Sequence, residues 1–147
     1  MAPDDVEIRN ATYAQIPTLG RVPLSDEVAA VVGVGVELIR ASWRRLHDAH
    51  ALVLHADRDE IRMANPFSAV PTPFRVDAAD QQWFANCAWD AFGICAALDT
   101  EGWIDTSCPD CGEPISCEVR DRAPADSTLL FHCLVPAAAW WDDIVFT

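Results

Sequence analysis

The chain has 147 residues, and its 23 acidic and 10 basic groups give it a formal net charge of −13. Because 51% of the residues are hydrophobic, the chain is too apolar for an intrinsically disordered acidic tail. The acidity also disfavours binding to nucleic acid or to a membrane surface, since both need a basic footprint. The length suits one domain, or two small lobes that share a core, and no apolar run reaches the roughly 18 residues of a membrane span.

The distribution of the cysteines indicates which part of the chain contains the functional site. The first residues contain neither a basic nor an apolar stretch, so no signal peptide is visible and we expect a cytoplasmic protein with reduced thiols. All six cysteines fall in residues 66–147, where thirteen acids stand against three arginines. In such a chain cysteines serve metal binding or catalysis more often than disulfides. We therefore expect the functional site in this second part.

Residues 1–65 are predicted to form a winged-helix-like helical lobe. Helices are expected at 26–32 and from residue 36 to about 49, separated by a glycine turn and followed by a hairpin of 51–55 with 60–64. Three basic residues of the second helix keep a DNA-binding interpretation open, although the overall acidity favours a scaffold: Arg40, Arg44 and Arg45.

Residues 66–77 read as a proline-rich extended connector, and residues 78–99 as a central helix. Helical spacing places Trp83, Cys87 and Ile94 on one apolar stripe, with Asp90 at its edge, one turn from Cys87. A carboxylate there must be paired, hydrated or functional, because burying it bare is costly. Desolvation would raise the pKa of this carboxyl group, which suits a group that carries protons.

From residue 102 the pattern predicts a small, mostly antiparallel sheet. Strands are expected at 103–107, 115–120, 127–135 and 143–147, with a short helix over 137–142. The predicted fold is therefore α+β, with the winged-helix-like lobe followed by a Cys/Asp helix packed on the sheet. The domain of residues 78–147 stops inside its last predicted strand, so we expect it to be truncated.

Cys108 and Cys111 form a C-x-x-C knuckle with the proline and glycine typical of zinc ribbons. A complete zinc site needs further ligands, and Cys117, His132 and Cys133 are the nearby candidates. His132 and Cys133 are adjacent on a predicted strand, so their side chains should face opposite sides. The alternative to structural zinc is a tight β-turn with two small thiols.

The segment 83–94, read as WFANCAWDAFGI, resembles the C-A-x-D helix of the alkylmercury (organomercurial) lyases. The order around it is similar as well. A winged-helix-like lobe and a proline-containing connector precede it, and a cysteine followed by Gly-x-Pro comes after it at Cys108 and 112–114. Leu-Val-Pro at 134–136 then precedes the short helix. The resemblance covers about residues 25–147.

This resemblance implies cleavage of a carbon–mercury bond by protonolysis, giving a hydrocarbon and Hg(II) without an organic cofactor. Carried over by position, Cys87 would be the thiolate ligand to mercury and Asp90 the proton carrier, beside a substrate pocket lined by Trp83 and Ile94. The family's second catalytic cysteine would fall at or just beyond the end of this chain. Cys133 is therefore our candidate for the second thiol, and Cys95 is a further internal option.

The implied partners are a small organomercurial substrate and a mercuric reductase that accepts the released ion. Neither nucleic acid nor a membrane is expected as a partner. Two alternatives stay open. One is a winged-helix regulator that binds zinc or mercury at Cys108 and Cys111, and the other is an inactive family member that keeps only the fold.

Overall fold

The computed structural model describes residues 3–125, 128–131, 133 and 135–145, and it shows an α+β fold. Among these residues no helix is both long and apolar enough to cross a membrane. The helices are α1 (Asp5–Leu19), α2 (Ser25–Val32), α3 (Val36–Asp48) and α4 (Ala88–Ala97), with a 3-10 helix at Ala137–Asp142. The strands are β1 (Val53–Leu54), β2 (Ile61–Ala64), β3 (Phe67–Ser68), β4 (Phe74–Ala78), β5 (Gln81–Ala85), β6 (Gly102–Ser107), β7 (Pro114–Arg120) and β8 (Ala123–Pro124).

The eight strands of the described residues join one antiparallel sheet in the order β1-β2-β3-β5-β4-β6-β7-β8. At its centre, Val76 of β4 pairs with Trp83 of β5 on one side and with Ile104 of β6 on the other. Because β5 and β6 both run antiparallel to β4, their carboxyl ends lie at the same end of the sheet. The loops that follow β5 and β6 therefore begin at the same end of the sheet.

The N-terminal helices pack around Trp43, which is fully buried, and share one hydrophobic core with the sheet. The structure confirms the predicted helices α2 and α3 and the hairpin of β1 with β2. The sequence analysis missed α1. Its buried face contains only Ile8, Thr12 and Ile16, and Pro17 lies inside the helix, so its apolar pattern is weak. The capping box at the start of α1 is the signal that could have revealed it.

The prediction of one helix over 78–99 is wrong in its first half. Residues 74–85 form the hairpin of β4 and β5, and α4 begins only at Ala88. Ala79 and Asp80 make the turn with φ angles of 52° and 57°. Tight hairpins need such positive φ angles, which glycine or asparagine usually supplies. Because the turn contains neither glycine nor asparagine, no local signal marked it, and the spacing of the apolar residues around Trp83 was as compatible with a helix as with a hairpin.

The predictions for the remaining segments had mixed outcomes. Strands β6 and β7 and the short helix at Ala137–Asp142 are confirmed, the last as a 3-10 helix. The predicted strand 127–135 is not a strand in its described part. The segment that pairs with the outer edge of β7 is β8, at Val119 and Arg120; residues 127, 132 and 134 lie outside the described residues. Residues 143–145 are likewise not a strand, and 146–147 lie outside the described residues. The connector at 66–77 contributes β3 and the start of β4 to the sheet.

Candidate functional site

Cys87 lies at the N-terminus of α4, as its N-cap residue, and not within the helix as the sequence analysis expected. Its backbone is extended, with φ −152° and ψ −178°, and its carbonyl accepts the Ala91 N–H at 3.0 Å. The thiol is half-buried and lies beside the backbone N–H groups of Trp89 and Asp90 at the start of the helix. Burial raises the pKa of Cys87 above its ordinary 9.0, whereas these two N–H groups act to lower it. The N-terminus of a helix favours negative charge, so this position stabilises the thiolate form of Cys87.

Asp90 lies in the first turn of α4, and its side chain is half-buried. The Asn86 side-chain amide donates to Oδ2 of Asp90 at 2.9 Å. Burial raises the pKa of Asp90 above its ordinary 3.8, and the Asn86 hydrogen bond opposes that rise. Within the described residues, no arginine forms an ion pair with Asp90. This carboxyl group can therefore accept a proton more readily than an exposed one.

The Asp90 carboxyl group belongs to a small hydrogen-bond network that the sequence analysis missed. Besides Asp90, the Asn86 amide donates to Oδ1 of Asn65 at 3.1 Å and to the Pro66 carbonyl at 3.4 Å. The hydroxyl of Tyr13, from α1, donates to the Asn65 carbonyl at 3.1 Å. The position of Asn86, directly before Cys87 in the sequence, could have indicated that it belongs to the site. No sequence signal indicated the role of Tyr13, because α1 was not predicted.

Cys133 comes close to Cys87 although 46 residues separate them in the sequence. It is near enough that a negative charge on its sulfur would raise the pKa of the Cys87 thiol, as the smallest of the effects on that group. The Phe131 ring contacts the Trp89 ring with centroids 6.4 Å apart, which places this segment against the start of α4. Cys133 is exposed, and its thiol donates to the Val135 carbonyl at 2.9 Å. The structure therefore brings together three of the predicted site residues, Cys87, Asp90 and Cys133.

The other predicted residues of this site lie in the hydrophobic core. Trp83 is 3% exposed and its indole N–H donates to the Ala78 carbonyl at 3.0 Å; Ile94 is 0% exposed. Cys95 is 2% exposed. Two clefts among the described residues, of about 600 and 570 Å³, are lined by neither Cys87 nor Asp90, and Trp83 lines the second of them. The assignment of Trp83 and Ile94 to a substrate pocket stays a prediction.

The C-x-x-C knuckle forms the turn between β6 and β7. The Cys108 N–H donates to the Glu113 carbonyl at 2.8 Å, and the Gly112 N–H donates to the Cys108 carbonyl at 2.9 Å. The N–H groups of Cys111 and Asp110 lower the pKa of Cys108 below its ordinary 9.0, and the Cys111 side chain adds a smaller effect in the same direction. In the part of the chain that the structure describes, no three or more His, Cys, Asp or Glu side chains form a group that could hold a metal. Zinc at this turn stays a prediction, and its candidate ligand His132 lies outside the described residues.

The basic residues of α3 are engaged with carboxylates. Arg40 pairs with Glu37 and Glu60, and the other two arginines pair with acids of the loop after β1 and of α1: Arg44 with Asp59, and Arg45 with Asp5. Each pair cancels the charge that a phosphate backbone would need. The structure therefore gives no support to the nucleic-acid interpretation of this helix.

Comparison with known proteins identifies the family. The profile described as alkylmercury lyase (MerB) matches residues 67–147, which is more than half of the chain. The solved structure entitled "Crystal structure of the mercury-bound form of MerB2" is similar, with a TM-score of 0.67 and 23% sequence identity over 87% of this chain. At that identity the likeness concerns the fold, and the chain spans 61% of the length of that structure's chain. No protein among the curated ones matches. From the profile match, the chain belongs to the alkylmercury lyase family.

Proposed function

We propose that the protein is an organomercurial lyase that cleaves a carbon–mercury bond by protonolysis and needs no organic cofactor. One observation carries the proposal. The thiol of Cys87 lies at the N-terminus of α4, with the Asp90 carboxyl group on the same helical turn and the Cys133 thiol near it. A soft metal, a proton carrier and two thiolates are the components that this reaction requires.

The first step is capture of the organomercurial cation R–Hg⁺ by Cys87. A sulfur–mercury bond forms, and the thiol proton passes to Asp90. Because burial raises the pKa of Asp90, this carboxyl group holds the proton better than an exposed aspartate does. The N–H groups of Trp89 and Asp90 stabilise the thiolate at the moment it forms.

The second step is cleavage of the carbon–mercury bond. Cys133 forms a second sulfur–mercury bond and releases its proton to solvent, so two thiolates now push electron density onto the metal. Asp90 then returns its proton to the carbon, the carbon–mercury bond breaks and the hydrocarbon leaves. Hg(II) stays on the two thiolates until an acceptor, such as a mercuric reductase, removes it. Asn86 keeps the Asp90 carboxyl group in place throughout.

Hydrocarbon release tests this mechanism. The protein is incubated with methylmercury or phenylmercury and a monothiol, and the methane or benzene formed is measured by gas chromatography. We expect Cys87→Ser to abolish release and Asp90→Asn to reduce it by roughly 10²- to 10⁴-fold, which is typical for loss of a proton carrier. Full activity of Cys87→Ser would contradict the proposal.

Matched controls come from the same helix region. Cys95→Ala removes a thiol from the core, and Asp99→Asn removes an exposed carboxylate just after the end of α4. Both should keep the wild-type rate within a few-fold. Cys133→Ser separates the two steps, because it should still capture one equivalent of phenylmercury while releasing little benzene. If Cys133→Ser releases benzene at the wild-type rate, Cys133 is not the second thiol.

A further inference from the structure

The Cys108–Cys111 turn is a second thiol pair that the proposed reaction does not use. Its backbone is fixed by the Cys108 N–H to Glu113 carbonyl and Gly112 N–H to Cys108 carbonyl hydrogen bonds, of 2.8 and 2.9 Å. Gly112 has a φ of 74°, a conformation that glycine adopts without strain. Cys111 is exposed and Cys108 is partly exposed. Both thiols lie on this one tight turn, three positions apart in the sequence, and can be reached from solvent.

The sheet register places this turn near the Cys87 site. Ala85 of β5 pairs with Phe74 of β4, and Asp105 of β6 pairs with Arg75, so β5 and β6 leave the sheet at the same end. Cys87 follows β5 by two residues, and Cys108 follows β6 directly. Only β4 lies between the two strands. Two strand spacings of 4.7–4.9 Å put their ends about 10 Å apart.

We propose that Cys108 and Cys111 form a second metal-binding site, which takes one soft d¹⁰ cation such as Hg(II) on two thiolates. Two sulfur–metal bonds form and the two thiol protons go to solvent, so no oxidant or reductant is required. Thiolates select soft cations, whereas a structural zinc ion needs four ligands. The described residues around this turn supply two. The acidic side chains of Asp110 and Glu113 beside the turn favour the approach of a cation.

The position of the site suggests a role for the bound ion. A cation released at Cys87 would find the exposed pair near the same end of the sheet. This acceptor role depends on the proposed lyase function. Binding of the ion by Cys108 and Cys111 does not depend on it.

Mercury binding in the absence of the lyase thiols tests the site. The full chain carrying Cys87→Ser and Cys133→Ser is titrated with HgCl₂ in the presence of excess N-acetylcysteine. The ultraviolet sulfur-to-mercury charge-transfer band and native mass spectrometry then report the retained ion. We expect one Hg(II) per chain. Adding Cys111→Ser, or in a separate variant Cys108→Ser, should lower the retained mercury at least tenfold.

Cys95→Ala in the same background is the matched control, because it removes a buried thiol outside the turn and keeps both sulfurs of the turn, and it should still retain one Hg(II). The proposal is overturned if the background variant retains no mercury against the monothiol, or if Cys111→Ser retains as much as its parent. It is also overturned if the turn holds Zn(II) that HgCl₂ does not displace. Since no readout involves hydrocarbon release, failure of the lyase mechanism and failure of this site are distinguishable.

Discussion

At the scale of single residues, the Asn86 amide controls how the Asp90 carboxyl group titrates. Its 2.9 Å hydrogen bond favours the charged carboxylate and opposes the effect of burial on the pKa. We expect Asn86→Ala to raise the pKa of Asp90 further, because only the burial effect then remains. Carboxyl NMR titration of Asp90 measures this directly, and the acidic limb of the pH–rate profile should move upward with it. Asn10→Ala, an exposed change on α1, should leave both unaltered; an unaltered Asp90 pKa in Asn86→Ala would refute this role.

Asp90 should also affect stability in a pH-dependent way. Its folded-state pKa lies above the ordinary 3.8, so between the two values the folded state binds more protons than the unfolded state. Stability therefore falls as the pH rises from the unfolded pKa through the folded one. Asp90→Asn removes this loss, so it should stabilise the protein more at pH 7 than at pH 3. Urea unfolding at both values tests the sign, with the exposed Asp99→Asn as control; an equal effect at both values would refute the argument.

At the scale of elements, a buried hydroxyl group is one of the links between α1 and α3. Thr12 donates to the Ile8 carbonyl at 2.8 Å and accepts the Trp43 indole N–H at 3.1 Å, and Thr12 and Trp43 are both 0% exposed. Thr12→Val keeps the shape but leaves the indole N–H without its acceptor, which should cost about 1–3 kcal/mol of unfolding free energy. Urea unfolding measures the loss. Thr12→Ser keeps the hydroxyl and should cost less than Thr12→Val, and the reverse order would show that packing dominates.

The same scale shows which elements the sequence could predict. The helices α2 and α3 have a clear apolar period and glycines at their boundaries, and β6 and β7 are separated by a proline–glycine turn. The hairpin of β4 and β5 turns at Ala79–Asp80, whose positive φ angles are stabilised by the strand pairing and not by local residue preference. A local pattern cannot reveal such a turn. Trp83 was therefore placed on a helix that begins only after Cys87.

At the scale of the whole molecule, the candidate site combines segments that are distant in the chain. The proximity of Cys87 and Asp90 was predictable because they lie three residues apart in the sequence, at the first turn of one helix. The approach of Cys133, by contrast, depends on the packing of Phe131 against Trp89 at the start of α4, and the Tyr13–Asn65 contact depends on α1. Local periodicity contains no information on either contact. The sequence therefore predicted that Cys87 and Asp90 lie close together, but not the polar network around Asp90.

The net charge of −13 makes a prediction for the whole molecule. Eight arginines of the described residues form ion pairs, all with partly or largely exposed partners, and each such pair contributes at most about 1 kcal/mol. The 23 acids exceed the 10 basic groups, so repulsion among the excess carboxylates should dominate. Salt shortens the Debye length from about 30 Å at 0.01 M to about 8 Å at 0.15 M and weakens this repulsion.

We therefore expect the midpoint of thermal unfolding at pH 7 to rise as NaCl increases over this range. Glu101→Gln with Asp121→Asn, which removes two of the excess charges, should raise the midpoint at low salt and reduce its dependence on salt. Differential scanning calorimetry of both proteins measures the effect. A midpoint that falls with added salt would mean that the ion pairs outweigh the repulsion, because salt would then be weakening a net attraction among the charges.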